Sequence, residues 1–366
     1  MTPKATIRAE AQRLHAAFVA AGAVPVEADI LLPAETLLDL YGEDIRARAY
    51  TTHDPLRGEM MLRPDFTVPV VQAHMAHGAE PARYCYLGEV FRQQDRASDR
   101  ASEYLQVGFE VFDRSAPEAA DAEVFALFQG MLADLALRPA TGDIGILMAA
   151  VRGLDTTPRR RAALLHHIWR PRRFRALLDR FAGRAAVPAA RVRLLERLAK
   201  GSPEALIAEA GTFVGLRSAE EISARAVALL EDAGEKPISA PEAAMLYDLL
   251  TLEAPAAAAL AHLKGITPLL PAIALAVDRF AARLDALAAR GVDVEALPFE
   301  ASHGRTSLEY YDGFVFSFHA VDKGMPPVAS GGRYDALTAV LGAGAFIPAV
   351  GGVIRPGLVA RIRGLA

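Results

Sequence analysis

Apolar residues recur at helical spacing near the start of the chain. Ile7, Leu14 and Phe18 share one stripe between residues 5 and 21, and Gly22 supplies a stop. Residues 50–70 break that period: the stretch MLRPDFTVP carries prolines that forbid a long helix, so an irregular segment is expected. A period of two takes over in RYCYLGEVFR (83–92) and runs more cleanly through EYLQVGFEVFD (103–113). In the second segment Leu105, Val107, Phe109 and Val111 face one side, while Tyr104, Gln106, Gly108, Glu110 and Phe112 face the other. The polar run QQDRASDRAS between them predicts an antiparallel pair whose long loop reaches toward a ligand or partner.

Helical spacing returns over residues 116–136 through Val124, Leu127, Phe128, Met131 and Leu135, and DIGILM (143–148) is strand-like. For about 140 residues alanine, leucine and arginine then dominate, in helical patterns interrupted only by AGRAAVP, AGEKP and KGITP. Strand character resumes at 310–320, where Phe314, Phe316 and Phe318 alternate with Val315, Ser317 and His319. The two glycines of VASGGRYD suggest a loop whose backbone a ligand can touch. These elements predict an α+β fold, an antiparallel sheet flanked by helices. Residues 1–150 and 300–366 form its discontinuous core, and residues 151–299 form an all-helical insertion.

Composition narrows the picture. At 366 residues the chain exceeds one ordinary core, and 52% hydrophobic with 23% charged residues is usual for a soluble globular protein. Cys85 is the only cysteine, which excludes an intramolecular disulfide and a cysteine metal site and fits a reducing cytoplasm. No signal-peptide core or run of about 18 apolar residues occurs, so a membrane span is not expected. The net charge of −4 argues against a surface built wholly for nucleic acid. Charge is segregated, however. Residues 152–200 hold 14 Arg or Lys against 3 Asp or Glu, and residues 201–260 hold 3 against 10. The basic block reads as solvated helix faces, a contact for an acidic partner, or a site for a phosphate-rich ligand.

Candidate chemistry concentrates on the polar face of 103–113. Gln106 and Glu110, four residues apart on a strand, are separated by roughly 13 Å and flank a space suited to an amino acid. Gly108 between them is expected to open its floor; the alternative is a polar face that simply meets water. Asp65 and Thr67 in RPDFT offer a carboxylate for an ammonium group, and Arg92 offers a planar fork for a carboxylate. Tyr310, Tyr311 and Tyr334 add aromatic walls with hydroxyls. Histidines such as His74 and His77 have no partner at ligand spacing, so no metal is expected, and no nucleotide-binding glycine loop occurs.

The order MLRPDFT, RYCYLGEVFRQQ…SEYLQVGFEVF, LEYYDGFVF and ASGGRYDALTAVLG resembles the catalytic domain of histidyl-tRNA synthetase, a class II aminoacyl-tRNA synthetase fold. The resemblance spans roughly residues 5–150 and 300–360, with a helical insert between. It implies histidine-binding positions at Asp65, Thr67, Arg92, Gln106, Glu110, Tyr310, Tyr311 and Tyr334. Three departures stand out. Thr306 occupies the place of an arginine two residues before the leucine of LEYY, with Arg305 one place off. Gly357 and Leu358 stand where the family has Glu and its phosphate-gripping Arg. Asp65 and Phe66 replace Glu and Gly. An anticodon-binding domain of about 100 residues is also expected after the core and does not follow.

A histidine pocket without adenylation chemistry is similar to the synthetase-like regulatory subunits of ATP phosphoribosyltransferase. That resemblance implies no catalysis and no cofactor. It also implies a homodimer within a hetero-octamer of four regulatory and four short-form catalytic chains, and feedback inhibition by L-histidine in histidine biosynthesis. tRNA is not expected as a partner. The competing expectations are a truncated histidyl-tRNA synthetase that still forms histidyl-adenylate, and a stand-alone amino-acid-binding or tRNA-interacting paralogue.

Overall fold

The protein is described from a computed structural model over residues 3–35, 47–94, 101–211, 216–304, 310–322 and 324–365. Two compact units emerge: Met1–Ala150 with Asp248–Ala366, and Val151–Tyr247.

The first unit is built on a nine-stranded sheet among the described residues. Its order is β1 (Val24–Pro25), β5 (Ala82–Phe91), β6 (Glu103–Phe112), β12 (Ala349–Ile354), β11 (Ala329–Arg333), β10 (Phe314–His319), β7 (Arg138–Asp143), β9 (Pro298–Glu300) and β8 (Glu253–Pro255). Most neighbours are antiparallel, as expected, but β1 runs parallel to β5 and β7 parallel to β9, so the sheet is mixed. A separate three-stranded sheet pairs β2 (Leu31–Pro33), β4 (Gly58–Leu62) and β3 (Thr51–Asp54).

Phe109 of β6 and Phe316 of β10 lie on the face of the main sheet that the helices cover. Phe109 of β6 meets Phe18 of the helix Lys4–Ala20 at 5.3 Å, and Phe18 meets Phe128 of the helix Pro117–Met131 at the same distance. Phe128 and Phe125 pack on Phe316 at 5.5 and 5.7 Å. These rings are buried and carry much of the apolar area that holds the helices to the sheet.

Three local expectations change. Residues 50–70 are not irregular: β3 and β4 form a hairpin, and the helix Thr67–His77 begins directly after the proline turn. Pro69 is tolerated because it lies in the first turn, where backbone N–H groups have no helical partner to lose. DIGILM is the start of the helix Ile144–Arg152, and the strand lies just upstream at β7. Ile144, Leu147 and Val151 are buried at helical spacing, and the Asp143 carboxylate caps the start by accepting from Gly145 N–H at 2.8 Å. The double glycine before Arg333 lies in the central strand β11, not in a loop.

The expected insertion and the second compact unit begin together at residue 151 but end apart, because residues 248–299 group with the sheet. A buried ion network accounts for this. Arg283, on the helix Ala274–Ala288, donates to Asp121 at 2.9 Å and to Asp143 at 2.8 Å. Asp121 also accepts from Arg333 at 2.7 Å, and Arg333 reaches Asp335 at 3.0 Å. Buried charges of this kind are tolerable only when paired.

The second unit is helical. Phe174, Leu178 and Phe181 of the helix Pro171–Phe181 are buried with Leu164. Its segregated charges answer each other in part. Arg160 is buried and donates to the Asp232 carboxylate at 2.6 Å, and Arg191 reaches the same carboxylate at 3.1 Å. Among the described residues no helix is long and apolar enough to cross a membrane.

Asp121→Ala should therefore cost about 3–5 kcal/mol of stability, since it leaves two buried guanidinium groups without their shared carboxylate. Urea-induced unfolding of wild type and variant measures it.

Candidate functional site

The face of the sheet opposite Phe109 and Phe316 carries the polar residues of β6, with Phe112 at its edge. In antiparallel pairing, directly opposed residues share a face. Tyr84 opposes Glu110, Tyr86 opposes Gly108 and Gly88 opposes Gln106. On the other side Gly351 opposes Glu110, and Gly332 of β11 opposes Gly351.

Glu110 is the centre of the site. It is 1% exposed and accepts three hydroxyl hydrogen bonds: from Tyr334 at 2.6 Å, Tyr86 at 2.9 Å and Thr67 at 3.2 Å. Tyr310 donates to the Thr67 oxygen at 3.4 Å, and its ring lies 4.9 Å from Tyr311 and 6.1 Å from Tyr334. Burial pushes the Glu110 carboxyl up from 4.5 to about 7, against the three hydroxyls, which favour the charged form; the charge of Asp65 raises it further. A carboxyl so placed can change protonation near neutrality, and it can accept from an N–H of a polar ring.

Asp65 and Arg92 form a second part. Asp65 accepts from Thr67 N–H at 3.1 Å, which turns the chain into the helix Thr67–His77. Arg92 donates to the Pro64 carbonyl at 2.9 Å and lies 3.9 Å from the Asp65 carboxylate. Gln106 is 1% exposed, and its Oε1 has no hydrogen-bond partner among the described residues. A solvated polar face is therefore overturned, since Gln106 and Glu110 are as buried as the core.

Gly108 does not leave an open floor. A Cβ there would collide with the Tyr86 ring, which lies over the glycine. Tyr86 went unrecognised in the sequence, where it looks like one more aromatic of an alternating strand. Only the register, which sets it opposite Gly108, aims its hydroxyl at Glu110. Phe66, which stands where the synthetase resemblance has Gly, stacks on Tyr86 with centroids 4.3 Å apart and planes 11° apart, fixing that ring from behind. Arg305 and Thr306 lie outside the described residues. Gly357 and Leu358 fall in the helix Pro356–Ile362, which supplies no arginine at Leu358. Among the described residues no cluster of three or more His, Cys, Asp or Glu side chains is placed to hold a metal ion. His74 instead stacks on Phe112 at 4.0 Å and meets the Tyr84 hydroxyl at 3.0 Å.

The family model described as Histidyl-tRNA synthetase matches residues 3–233 and 217–356. The chain is 33% identical to the ATP phosphoribosyltransferase regulatory subunit of Allorhizobium ampelinum, over 91% of this chain and 92% of that one. It is 34% identical to the regulatory subunit of Rhizobium johnstonii, over 93% and 94%. The chain belongs to the ATP phosphoribosyltransferase regulatory subunit family. Solved structures agree on the fold of this family's members. A Bacillus halodurans protein titled as an ATP phosphoribosyltransferase regulatory subunit/histidyl-tRNA synthetase superposes with a TM-score of 0.67 at 20% identity, covering 98% of this chain and 79% of that one. The Nostoc sp. PCC 7120 histidyl-tRNA synthetase superposes with 0.63 at 16% identity, covering 100% and 74%. The ATP phosphoribosyltransferase regulatory subunit family thus carries, in this chain, a class II synthetase-like sheet with a buried carboxyl at its centre.

The raised Glu110 carboxyl has a consequence for stability. Between pH 4.5 and about 7 the unfolded chain has released this proton while the folded protein keeps it. Stability therefore falls as pH rises through that window and levels off above it, by ~3 kcal/mol from this group. Asp312, also raised to about 7 by burial, adds a change of the same sign. Glu110→Gln should remove only the Glu110 share, which chemical unfolding at pH 5 and pH 8 reads directly.

Proposed function

We propose that this chain is a non-catalytic, histidine-sensing regulatory subunit that activates a short-form ATP phosphoribosyltransferase and conveys feedback inhibition by L-histidine. Family membership supports the regulatory role and the catalytic partner. The observation that carries the histidine reading is the Glu110 centre, a buried carboxyl ringed by Tyr86, Tyr334 and Thr67. An imidazole can donate a ring N–H to that carboxyl and lie against the tyrosine rings, while Asp65 and Arg92 offer opposite charges for the ammonium and carboxylate. Gln106, with a buried oxygen lacking a partner, offers one more acceptor.

Adenylation, by contrast, needs cations fixed on the phosphates as charge develops there. The position at which the synthetase resemblance calls for such an arginine is Leu358. Regulation then follows from linkage. Histidine binds one quaternary state more tightly and shifts the assembly toward the less active one. The reading includes a homodimer inside a hetero-octamer of four regulatory and four catalytic chains, in the cytoplasm. A synthetase that still forms histidyl-adenylate is the second reading, favoured only by the pocket around Glu110.

The test is reconstitution with a short-form catalytic chain. Mixing should raise phosphoribosyltransferase activity, and histidine should suppress it. Glu110→Ala and Gln106→Ala should each raise the inhibitory histidine concentration about tenfold or more while sparing co-purification, in keeping with loss of a hydrogen bond to a charged or buried group. Unchanged inhibition in both variants places the histidine site elsewhere, and robust histidine-dependent ATP–pyrophosphate exchange by the chain alone favours the second reading.

A further inference from the structure

Arg355 stands at the end of β12, one residue beyond the last paired position, Ile354 opposite Val107. Its backbone is still extended, with φ −102° and ψ 96°, and its N–H donates to the Val328 carbonyl at 2.9 Å, which continues the ladder. One further step of the register sets Arg355 opposite Gln106. It therefore projects from the same face as Gln106 and Glu110, on the side of the site that Glu110 does not reach. No local pattern in the chain marks this residue, and the synthetase resemblance assigns it no part.

The charge of Arg355 is left over. Among the described residues no carboxylate lies within ion-pair distance of it, although Asp121, Asp143 and Asp335 each pair with a buried arginine elsewhere in the same unit. Its Nη1 donates to the Pro327 carbonyl at 2.6 Å and its side chain also hydrogen-bonds Tyr104, both of them neutral at neutral pH, so five guanidinium N–H donors are met here by two groups that carry no charge. Its electrostatic neighbours are Tyr104, Arg92 and Tyr311. Desolvation and the nearby Arg92 lower its pKa, as expected for a cation held where an anion would complete the environment. Directly opposite, Gln106 keeps a buried Oε1 with no partner. Two independent observations, a half-buried cation without a counter-ion and a buried acceptor without a donor, thus meet at one end of the site. A buried polar group left unmatched costs stability, and such costs cluster where a ligand completes the bonding.

We propose that Arg355 binds the carboxylate of the amino acid whose side chain sits at Glu110, with Gln106 accepting from that ligand's ammonium group. This rests on the histidine reading of the site. Arg355 would supply the carboxylate contact from a strand end three residues before the position where the synthetases keep their phosphate-gripping arginine. The same change would then remove a nucleotide contact and add an amino-acid contact.

Calorimetric titration of the purified chain with histidine and with histidinamide, which carries a neutral amide in place of the carboxylate, tests the assignment. Wild type should prefer histidine about tenfold or more. Arg355→Ala should cut the preference at least severalfold by weakening histidine alone, with Arg92 keeping the remainder, and Arg355→Lys should retain more of it. A preference that survives undiminished in Arg355→Ala overturns the proposal. Equal affinity of the wild-type chain for the two compounds also overturns it, with no variant required. If the wild-type chain and its complex with the catalytic chain bind neither compound, the histidine reading itself fails and this assignment falls with it, so the two failures are distinct.

Discussion

The centre of the sheet carries bulky groups on both faces because adjacent strands give up their side chains there. A Cβ at Gly331 would meet the Phe316 ring on the helix side, and one at Gly332 would meet Tyr311 on the other. Gly351 and Gly352 repeat the arrangement one strand away, beneath Glu110 and Phe316 respectively. The phenylalanine core and the polar site are thus the two sides of one thin layer. An added methyl at either pair would push a ring or a carboxyl out of place, since packed interiors have little room to relax. What rests on this layer is the Glu110 carboxyl, desolvated beneath tyrosines and held by three hydroxyls instead of a cation.

Charge is handled in two ways within the same unit. Asp121, Arg283, Asp143, Arg333 and Asp335 form a closed network that ties the helix Ala274–Ala288 and the helix Pro117–Met131 to strand ends. Every member has an opposite partner, which is what a structural cluster requires. Around Glu110 the balance is deliberately incomplete. Its carboxyl has hydroxyl donors but no cation, Arg355 has no carboxylate among the described residues, and Gln106 has an idle oxygen. In the first cluster charge is matched by opposite charge; at Glu110 a carboxyl is matched by hydroxyls alone.

Much of the fold was legible in the chain. The helix Lys4–Ala20, the strands β5, β6 and β10 and the helix Pro117–Met131 follow directly from apolar spacing. The errors have specific causes. DIGILM is short and apolar, and such a run does not distinguish a strand from a buried helix start; the Asp143 cap decided it. The prolines of MLRPDFTVP are helix breakers in a helix interior, yet Pro69 falls in the one turn that accepts it. The extent of the insertion was hidden because composition does not change at residue 248. Arg283, far along the helical stretch, belongs to the sheet unit through partners more than a hundred residues away.

On its own, the chain determined which residues alternate along β6, and hence that Gln106 and Glu110 share a face, because the two-residue period of a strand is local geometry. It also carries, in Asp65, Thr67, Arg92, Tyr310, Tyr311 and Tyr334, the side-chain chemistry from which a pocket for a small zwitterion is expected. Only the tertiary structure decided that Tyr86 fills the space over Gly108, that the Gly331–Gly332 pair lies in a strand, and that Arg355 comes to stand opposite Gln106. Those facts depend on strand register, which pairs Tyr86 with Gly108 across one loop and Ile354 with Val107 across most of the chain. A single sequence shows the period of each strand but not the phase between them.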